Sequence, residues 1–275
     1  MLNDCFECHV SALRADKAVN FLETASGLSK QSIKAIMQKG AVWVTRNNHT
    51  RRLRREGKVL NYKDEIHLYY NKAVLGASPK PAHLIVDKHA YSIWLKPRGM
   101  LCQGSKWGDH CTISRWVEQN LIPKRPAFVV HRLDRATCGL IIIAHTKNTT
   151  SALANLFEQR AVEKKYKALV EGHFLPADQP VHVETDIDGR AASSEVTLLK
   201  YDASLNQSLL DVKINTGRKH QIRRHLSGIG FPIIGDRLYG KADGSTDNDQ
   251  IDLQLTAYYL SFQCPVSREI MKYEV

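Results

Sequence analysis

The spacing of hydrophobic and polar positions changes once along the chain, and this change separates two regions. In the first region, apolar side chains recur at helical spacing between Ser29, which suits a helix N-cap, and Gly40, which suits a helix end. The residues that follow show the alternation of a strand at 41–45, a turn at 47–48 and a second strand at 65–70. This order of elements predicts a small α+β domain.

A linker is predicted at 76–83, where two prolines and several small residues interrupt the hydrophobic periodicity. We therefore assign a first domain to 1–75 and a second domain to 84–275, with helices notably at 149–160 and 218–228. Because the strands of the second domain occur in runs rather than in strict alternation with helices, we expect an α+β fold around a mixed, mainly antiparallel sheet with flanking helices. The predicted strands lie at 84–87, 91–95, 139–144, 166–170, 194–199 and 209–214.

The composition is that of a folded protein. Hydrophobic residues make up 43% and charged residues 24% of the 275 positions, which excludes the disordered, collagenous and coiled-coil classes. Six cysteines are too few for a disulfide framework in a chain of this length, so a reducing compartment is expected. The first residues lack the basic and apolar segments of a signal peptide, and no stretch approaches the length of a membrane span. We expect a cytoplasmic monomer that binds no membrane.

The positive charge of the chain is concentrated near its beginning. The whole chain has a net charge of +11, and residues 1–75 hold 7 Lys and 6 Arg against 7 acidic residues. More than half of the excess therefore lies in about a quarter of the sequence. Such a distribution favours an anionic partner for the first domain, and nucleic acid is the first candidate.

An arginine-rich run lies within this basic domain. Four guanidinium groups occur in five residues, and two lysines lie four positions apart on the preceding helix, which predicts one basic face that binds RNA phosphates. The run alone is equally typical of a solvated surface loop. Residues 16–70 as a whole resemble the αL-type RNA-binding module first described in a small-subunit ribosomal protein, and this resemblance implies that the domain binds RNA. The predicted contacts are Arg51, Arg52, Arg54, Arg55, Lys30 and Lys34.

The densest polar cluster of the second domain, at 131–139, leads directly into an apolar strand. Asp134 lies between Arg132 and Arg135, and the positive charge of two guanidinium groups would hold its carboxylate ionised. An ionised carboxylate at the mouth of a buried strand suits a nucleophile or a base. On the charges alone, however, a structural ion pair at a strand end explains the cluster better.

The same segment resembles the signature of the RluA-type family of pseudouridine synthases, which reads His-Arg-Leu-Asp, two variable residues and Thr-Ser-Gly-Leu. The chain departs from this signature only at Cys138, a nearly isosteric replacement for Ser. Further segments match the family in the same order, so that the agreement covers about 84–265. These segments are 95–100 with the Lys-Pro motif, 165–168 with the tyrosine-bearing strand, 216–223 with Lys219 in place of Thr, and 230–240 with Phe231 in place of His.

The resemblance implies that the protein isomerises uridine in RNA to pseudouridine and needs neither a metal nor another cofactor. It implies that Asp134 either attacks the sugar or removes a proton from it, and both routes remain open. Arg223 is expected to pair with this carboxylate. Tyr166 is expected to pack on the flipped uracil and to transfer a proton. Further RNA contacts are expected at Arg132, whose planar cation would fill the gap left by the extruded uridine, and at Arg218 and Lys96.

Other patterns in the sequence favour different chemistry less well. The cysteines and the histidine at 5–9 offer three zinc ligands, but no second pair stands at the spacing of a zinc finger, so we expect no metal. The glycines at 99–108 lack the pattern of a phosphate loop or a dinucleotide site, which argues against nucleotide-dependent chemistry. Asp134 and Asp236 suggest a glycosidase pair, yet the basic charge argues against a neutral sugar polymer as the ligand.

The main alternative is a non-catalytic RNA-binding protein, such as a ribosome-associated factor, in which both domains only bind phosphates. The presence of all three candidates for the chemistry, Asp134, Tyr166 and Arg223, argues against this alternative. The basic first domain favours ribosomal RNA as the substrate, with transfer RNA as the second choice.

Overall fold

The computed structural model describes residues 3–176, 178–240 and 251–275. The predicted domains 1–75 and 84–275 each include positions outside these ranges.

The chain divides into two compact units. The first contains Met1–Lys80 and Gln103–Gln119, and the second contains Pro81–Cys102 and Asn120–Val275. The predicted linker coincides with the boundary after residue 80. The first unit differs from the predicted first domain because it also includes a segment that the sequence division placed in the second domain.

The first unit combines an antiparallel sheet with short helices. In its described part, β1 (Cys5–Ser11), β6 (Glu65–Asn71), β3 (Val42–Arg46) and β4 (His49–Arg52) pair in that order. A separate pair is formed by β2 (Asp16–Lys17) and β5 (Val59–Leu60). Leu22, Ile33 and Met37 lie on the first two helices and are fully buried in the core of this unit. The elements are β1 (Cys5–Ser11), β2 (Asp16–Lys17), α1 (Ala18–Ser26), α2 (Lys30–Gln38), β3 (Val42–Arg46), β4 (His49–Arg52), β5 (Val59–Leu60), β6 (Glu65–Asn71), α3 (Lys72–Gly76) and α4 (Ile113–Asn120), whose last residue falls in the second unit.

The predicted elements of this unit are confirmed, and their ends have local causes. The Ser29 hydroxyl caps α2 by accepting a hydrogen bond from the backbone N–H of Ser32 at 3.2 Å. Asn47 and Asn48 form the tight turn between β3 and β4 with φ values of 50° and 62°, a conformation that asparagine tolerates better than most residues. Sequence reasoning therefore located α2 and the β3–β4 hairpin correctly.

The segment Gln103–Gln119 belongs to the first unit because side chains of the N-terminal region hold it there. The guanidinium groups of Arg52 and Arg54 both contact Oδ2 of Asp109, at 3.2 Å in the case of Arg52. The indole N–H of Trp43 donates a hydrogen bond to the carbonyl of Lys106 at 3.1 Å. These partners are more than fifty residues apart in sequence, so no local pattern indicated the association.

In the residues that the structure describes, the second unit contains one large sheet and the two helices α5 (Lys147–Glu158) and α6 (Gln221–Gly228). All six predicted strands and both predicted helices are present, with bounds shifted by up to three residues. The strands that were not predicted include Val181–Glu184, Leu255–Gln263 and Ile270–Glu274. The elements are β7 (His83–Asp87), β8 (Tyr91–Lys96), β9 (Phe128–Val129), β10 (Cys138–Ala144), α5 (Lys147–Glu158), β11 (Glu163–Glu171), β12 (Val181–Glu184), β13 (Ser193–Asp202), β14 (Gln207–Ile214), α6 (Gln221–Gly228), β15 (Leu255–Gln263) and β16 (Ile270–Glu274).

Over the described residues, this sheet has the strand order β12-β13-β14-β11-β15-β10-β8-β7, with β16 paired to β15 and β9 paired to β10. Within those residues, β10 and β15 form the parallel pair and the other neighbours are antiparallel. The expected α+β class with a mixed, mainly antiparallel sheet is therefore confirmed.

Strand β10 approaches β15 very closely at Gly139. A Cβ atom at this position would lie 2.2 Å from the carbonyl oxygen of Ala257, and the φ angle of 127° is one that side chains rarely adopt. Only glycine fits both requirements. Glycine at this position lets the buried strand start immediately after the polar segment that contains Asp134.

Helix α5 begins at a cap of the same kind as α2, since the Thr146 hydroxyl accepts a hydrogen bond from the backbone N–H of Thr149 at 3.1 Å. Helix α6 follows His220, which has a left-handed backbone with φ at 55°. Within the described ranges, no helix is both long and apolar enough to cross a membrane.

Candidate active site

A basic cleft of about 1030 Å³ opens in the second unit. Its walls come from the loop before β10, from the start of β11 and from the turn before α6. Among the described lining residues, cations outnumber carboxylates by more than two to one. The cations are Arg132, Arg160, Lys164, Lys213, Arg218, Lys219 and Arg223, and the carboxylates are Asp134, Glu158 and Glu163.

Asp134 lies on the loop that leads into β10, and its side chain is 19% exposed. A turn holds the loop, because the backbone N–H of Thr137 donates to the carbonyl of Asp134 at 3.2 Å. His131 anchors the start of the loop, since its Nε2 accepts a hydrogen bond from the backbone N–H of Ile142 at 3.0 Å. Burial lowers the pKa of His131 to about 3, so the ring is neutral at pH 7. The carboxylate of Asp134 is thus held at the cleft surface by a fixed backbone.

Lys96 holds the same loop from the interior of the protein. Its side chain is fully buried, and Nζ donates to the carbonyls of Met100 at 2.9 Å, Pro97 at 3.1 Å and Arg135 at 3.5 Å. Burial lowers the pKa of this ammonium to about 8. The expectation that Lys96 contacts RNA is wrong, because a buried ammonium with three carbonyl partners cannot reach a phosphate.

Arg223 connects two carboxylates. Its Nε and one terminal nitrogen bind the carboxylate of Asp236 at 2.8 and 2.6 Å, while its other terminal nitrogen lies 3.9 Å from Oδ2 of Asp134. The predicted ion pair with Asp134 is present, but Asp236 is the closer partner. Burial alone would raise the pKa of Asp236, yet hydrogen bonds from Arg223 and from backbone N–H groups lower it below its ordinary value.

His220 provides a second nitrogen near Asp134. Its Nε2 lies 3.8 Å from Oδ1 of Asp134, and its Nδ1 lies 3.0 Å from the hydroxyl of Tyr239. Burial lowers the pKa of His220, although the negative charge of Asp134 acts in the opposite direction and raises it. Each oxygen of Asp134 therefore faces a nitrogen at nearly 4 Å, close enough to orient the charge without binding it tightly.

Tyr166 lies on β11 in the wall of the same cleft, with 7% of its surface exposed. Burial, followed by the negative charge of Asp134, raises the pKa of its hydroxyl well above the ordinary value. Tyr166 is therefore protonated at pH 7 and presents both a ring and an O–H group.

The structure brings five of the predicted residues to this cleft. Arg132 is exposed at its edge, and Arg218 donates from Nε to the carbonyl of Ala191 at 3.1 Å. The residues that share the cleft are Asp134, Tyr166, Arg223, Arg132 and Arg218.

The predicted basic residues of the first unit have different surroundings from one another. Arg51 and Arg55 are exposed, whereas Arg52 and Arg54 bind Asp109 as described above. Lys30 lies 3.3 Å from a carboxylate oxygen of Glu23, and Lys34 lies 3.1 Å from one of Glu56. Acidic side chains therefore lie beside both lysines of the predicted basic face and two of its arginines bind within the unit, while RNA binding by these residues stays a prediction.

Sequence reasoning did not assign roles to His220 and Asp236, although both lie in segments that match the family pattern. The pairing of Arg223 with Asp236 spans 13 residues and has no local signal. The candidate zinc ligands at 5–9 lie on β1, where Cys5 and Cys8 occupy opposite faces of the strand. Among the described residues, no group of three histidine, cysteine or acidic side chains is arranged to hold a metal.

Comparison with known proteins identifies the family. The sequence profile described as RNA pseudouridylate synthase matches residues 90–228, which is half of the chain and includes the loop of Asp134, Tyr166 and Arg223. The chain belongs to the RNA pseudouridylate synthase family. The protein is accordingly an RNA pseudouridine synthase, an isomerase that modifies RNA.

Two relatives and one solved structure describe the similarity further. An uncharacterized RNA pseudouridine synthase of Aquifex aeolicus is 29% identical over 277 residues, covering 90% of this chain and 85% of that protein. The ribosomal large subunit pseudouridine synthase D of Borreliella burgdorferi is 32% identical over 200 residues, covering 66% of this chain and 60% of that protein. The human RNA pseudouridylate synthase domain containing 1 protein shares the fold, with a TM-score of 0.60 at 22% identity over 72% of this chain and 84% of that one.

Proposed function

We propose that this enzyme isomerises specific uridines of structured ribosomal RNA to pseudouridine, and that Asp134 acts on a uridine flipped into the basic cleft. The observation that carries the proposal is the position of Asp134. Its carboxylate is partly exposed beside the buried ring of Tyr166, in a cleft whose other charged residues are mostly cations.

The reaction breaks the bond between N1 of uracil and C1′ of ribose, turns the base and joins C5 to C1′. Asp134 begins it by attacking the sugar or by removing a proton from it, and the hydrogen on C5 finally leaves to water. Both routes need an ionised carboxylate with a lone pair directed at the substrate. Arg223 stabilises the charge from 3.9 Å and His220 lies 3.8 Å from the other oxygen, so both oxygens stay accessible.

The same cleft supports base flipping. A uridine inside an RNA helix cannot reach a carboxylate in the wall of a cleft, so it must leave the stack. The Tyr166 ring offers a surface for the extruded uracil, and its O–H is available for proton transfer. Arg132, exposed at the edge, is placed to enter the gap in the RNA.

Two observations support ribosomal RNA as the substrate. The first 75 residues carry a charge of +6, and Arg51 and Arg55 within them are exposed. One relative is named as a ribosomal large subunit enzyme. We further propose that the first unit binds RNA in the manner of an αL-type module and that the enzyme is a cytoplasmic monomer.

The proposal is tested by the release of tritium from RNA that carries the label on C5 of uridine. The purified enzyme is incubated with ribosomal RNA transcripts and, in parallel, with transfer RNA, and the modified position is then mapped. We expect release from ribosomal RNA at one or a few uridines. Release from transfer RNA alone would contradict ribosomal RNA as the substrate. Binding of RNA without any release of tritium would favour the non-catalytic alternative.

A further inference from the structure

Lys164 is a cleft residue that the roles described so far do not include. It lies on β11 two residues before Tyr166, and both side chains line the cleft. Since side chains alternate along a strand, these two project from the same face, separated by about 7 Å along it. Both side chains therefore face the space that a bound nucleotide would occupy.

Among the residues that the structure describes, Lys164 forms no ion pair, although Glu158 and Glu163 line the same cleft. Its Nζ lies 5.8 Å from the centre of the Phe157 ring, which stacks on the neutral ring of His131 at 4.4 Å. A Cβ atom at Gly217 would lie 3.9 Å from the same Nζ. Within the described ranges, no carboxylate or carbonyl lies within hydrogen-bond distance of this ammonium.

The other basic residues near Lys164 differ from it. Lys213 lies 3.8 Å from a carboxylate oxygen of Glu163, and Arg218 donates to a backbone carbonyl. Lys164 is partly buried, and this burial lowers the pKa of its ammonium. A partly buried cation without an opposite charge beside it costs free energy unless an anion from a ligand compensates it.

We propose that Lys164 binds the phosphodiester next to the target uridine and thereby fixes how far the flipped nucleotide enters the cleft. This inference rests on the proposed function. The ligand is anionic, because the carbonyls of uracil would leave the ammonium with no opposite charge. It is part of the RNA backbone, because a uridine that packs on Tyr166 brings its own flanking phosphates into the cleft that Lys164 lines.

The test removes the charge from each partner in turn. The RNA is a stem-loop containing the uridine mapped by tritium release, with a neutral methylphosphonate linkage on its 5′ or its 3′ side. The protein variants are Lys164→Met and, as a matched control, Lys167→Met, which removes the same charge from the opposite face of β11. The dissociation constant is measured for every combination.

We expect one neutral linkage to weaken binding to the wild-type enzyme about tenfold, a loss of 1.4 kcal/mol. Lys164→Met should weaken binding of natural RNA by a similar factor, and the neutral linkage should then cause no further loss. The slope of log affinity against log salt should fall by about 0.7 to 0.9, the value for one phosphate contact. Lys167→Met should keep the full tenfold effect of the neutral linkage, and Lys164→Arg should restore binding and its salt dependence.

Equal losses from the neutral linkage in the wild type and in Lys164→Met would overturn the inference. If Lys164→Met does not fold, Lys164→Gln serves as the uncharged variant and gives the same comparison. Tritium release by the wild-type enzyme is recorded in the same samples. Release together with additive losses would overturn the role of Lys164 alone, whereas no release from any RNA would contradict the proposed function.

Discussion

Asp109 in the first unit and Asp134 in the second are both aspartates beside arginines, but the ratio of guanidinium groups to carboxylates is opposite at the two sites. Two guanidinium groups, from Arg52 and Arg54, converge on one oxygen of Asp109. In the second unit, a single guanidinium serves two carboxylates, and Asp236 takes its short contacts. Asp134 is left with nitrogens at 3.8 and 3.9 Å.

The difference is the one expected between a carboxylate that holds a structure together and one with the reacting role proposed for Asp134. The Asp109 charge is compensated twice, so the chain segment that contains it is fixed to the first unit. Asp134 is oriented by the same type of partner, but its oxygens are not bound closely and remain free to approach a substrate. The presence of arginines beside an aspartate is therefore not informative by itself, and the distances decide its role.

The largest expected effect distinguishes the two aspartates by activity. Asp134→Asn should lower kcat at least about 10⁴-fold, as loss of a reacting group does, while RNA binding and the fold remain. Asp109→Asn should leave kcat within about twofold of the wild type. Tritium release under saturating RNA measures both. Turnover by Asp134→Asn above a few percent of the wild type would remove Asp134 from the reaction.

The next effect concerns Tyr166, which lines the same cleft as Asp134. Tyr166→Phe keeps the ring and removes the hydroxyl, so kcat should fall about 100-fold, at the low end for a proton-transfer group, with an unchanged dissociation constant for RNA. Tyr166→Ala removes both and should also weaken binding. Single-turnover and binding measurements on the two variants separate the roles. Normal turnover by the Phe variant would leave packing as the role of Tyr166.

The third comparison uses stability. Asp236→Asn should lower the free energy of unfolding by about 3 kcal/mol, because Arg223 and Asp236 form a buried pair with side chains 6% and 0% exposed. It should also lower kcat, since Arg223 would lose its orientation toward Asp134. Asp109→Asn should cost about 1.5 to 3 kcal/mol without loss of kcat. Denaturant unfolding and tritium release on both variants provide the check, and equal losses of kcat would contradict the distinction.

The fourth comparison uses pH, because the Asp134 loop depends on the neutral ring of His131. With a pKa of about 3 in the folded state and about 6.5 when unfolded, His131 takes up a proton more readily in the unfolded chain. Its contribution to stability is therefore complete above pH 6.5 and is lost as the pH falls toward 3, by about 1.4 kcal/mol per unit. His131→Gln can still accept the hydrogen bond but cannot titrate. The difference in unfolding free energy between wild type and variant should follow this slope from pH 6 to 4, and a constant difference would contradict it.

The smallest expected effect distinguishes two pairs of arginines in the arginine-rich run of the first unit. Replacing the exposed Arg51 and Arg55 by alanine should reduce the salt slope of RNA binding by about 1.4 to 1.8, the value for two phosphate contacts, with unchanged stability. Replacing Arg52 and Arg54 should mainly reduce stability, because both bind Asp109. Filter binding at several salt concentrations and thermal unfolding compare the two pairs. A larger salt effect from the second pair would contradict the division.

The elements that the sequence predicted are those with local causes. Ser29 can cap α2, and Asn47 and Asn48 can adopt the turn, through contacts or angles within a few residues. Strand β15 was not predicted, and its place between β10 and β11 depends on pairing with strands about a hundred residues away. Patterns of hydrophobicity identify a strand but do not specify its neighbours.

The same limit applies to the site. Family motifs located Asp134, Tyr166 and Arg223, and the structure brings them to one cleft. The motif around Lys96 gave no sign that its ammonium is buried under the Asp134 loop, because its three carbonyl partners are placed there by the tertiary fold. Asp236 escaped assignment for the same reason. Sequence identifies the types of groups in the site, whereas their partners must be observed.

The association of Gln103–Gln119 with the first unit limits how the protein could be rearranged. A chain cut at residue 80 would retain Asp109 without either guanidinium, and the carbonyl of Lys106 would lose the indole of Trp43. Recombination therefore cannot exchange this unit between enzymes as one continuous segment of the chain. An N-terminal unit from another enzyme would keep these contacts only if residues 103–119 were replaced together with it.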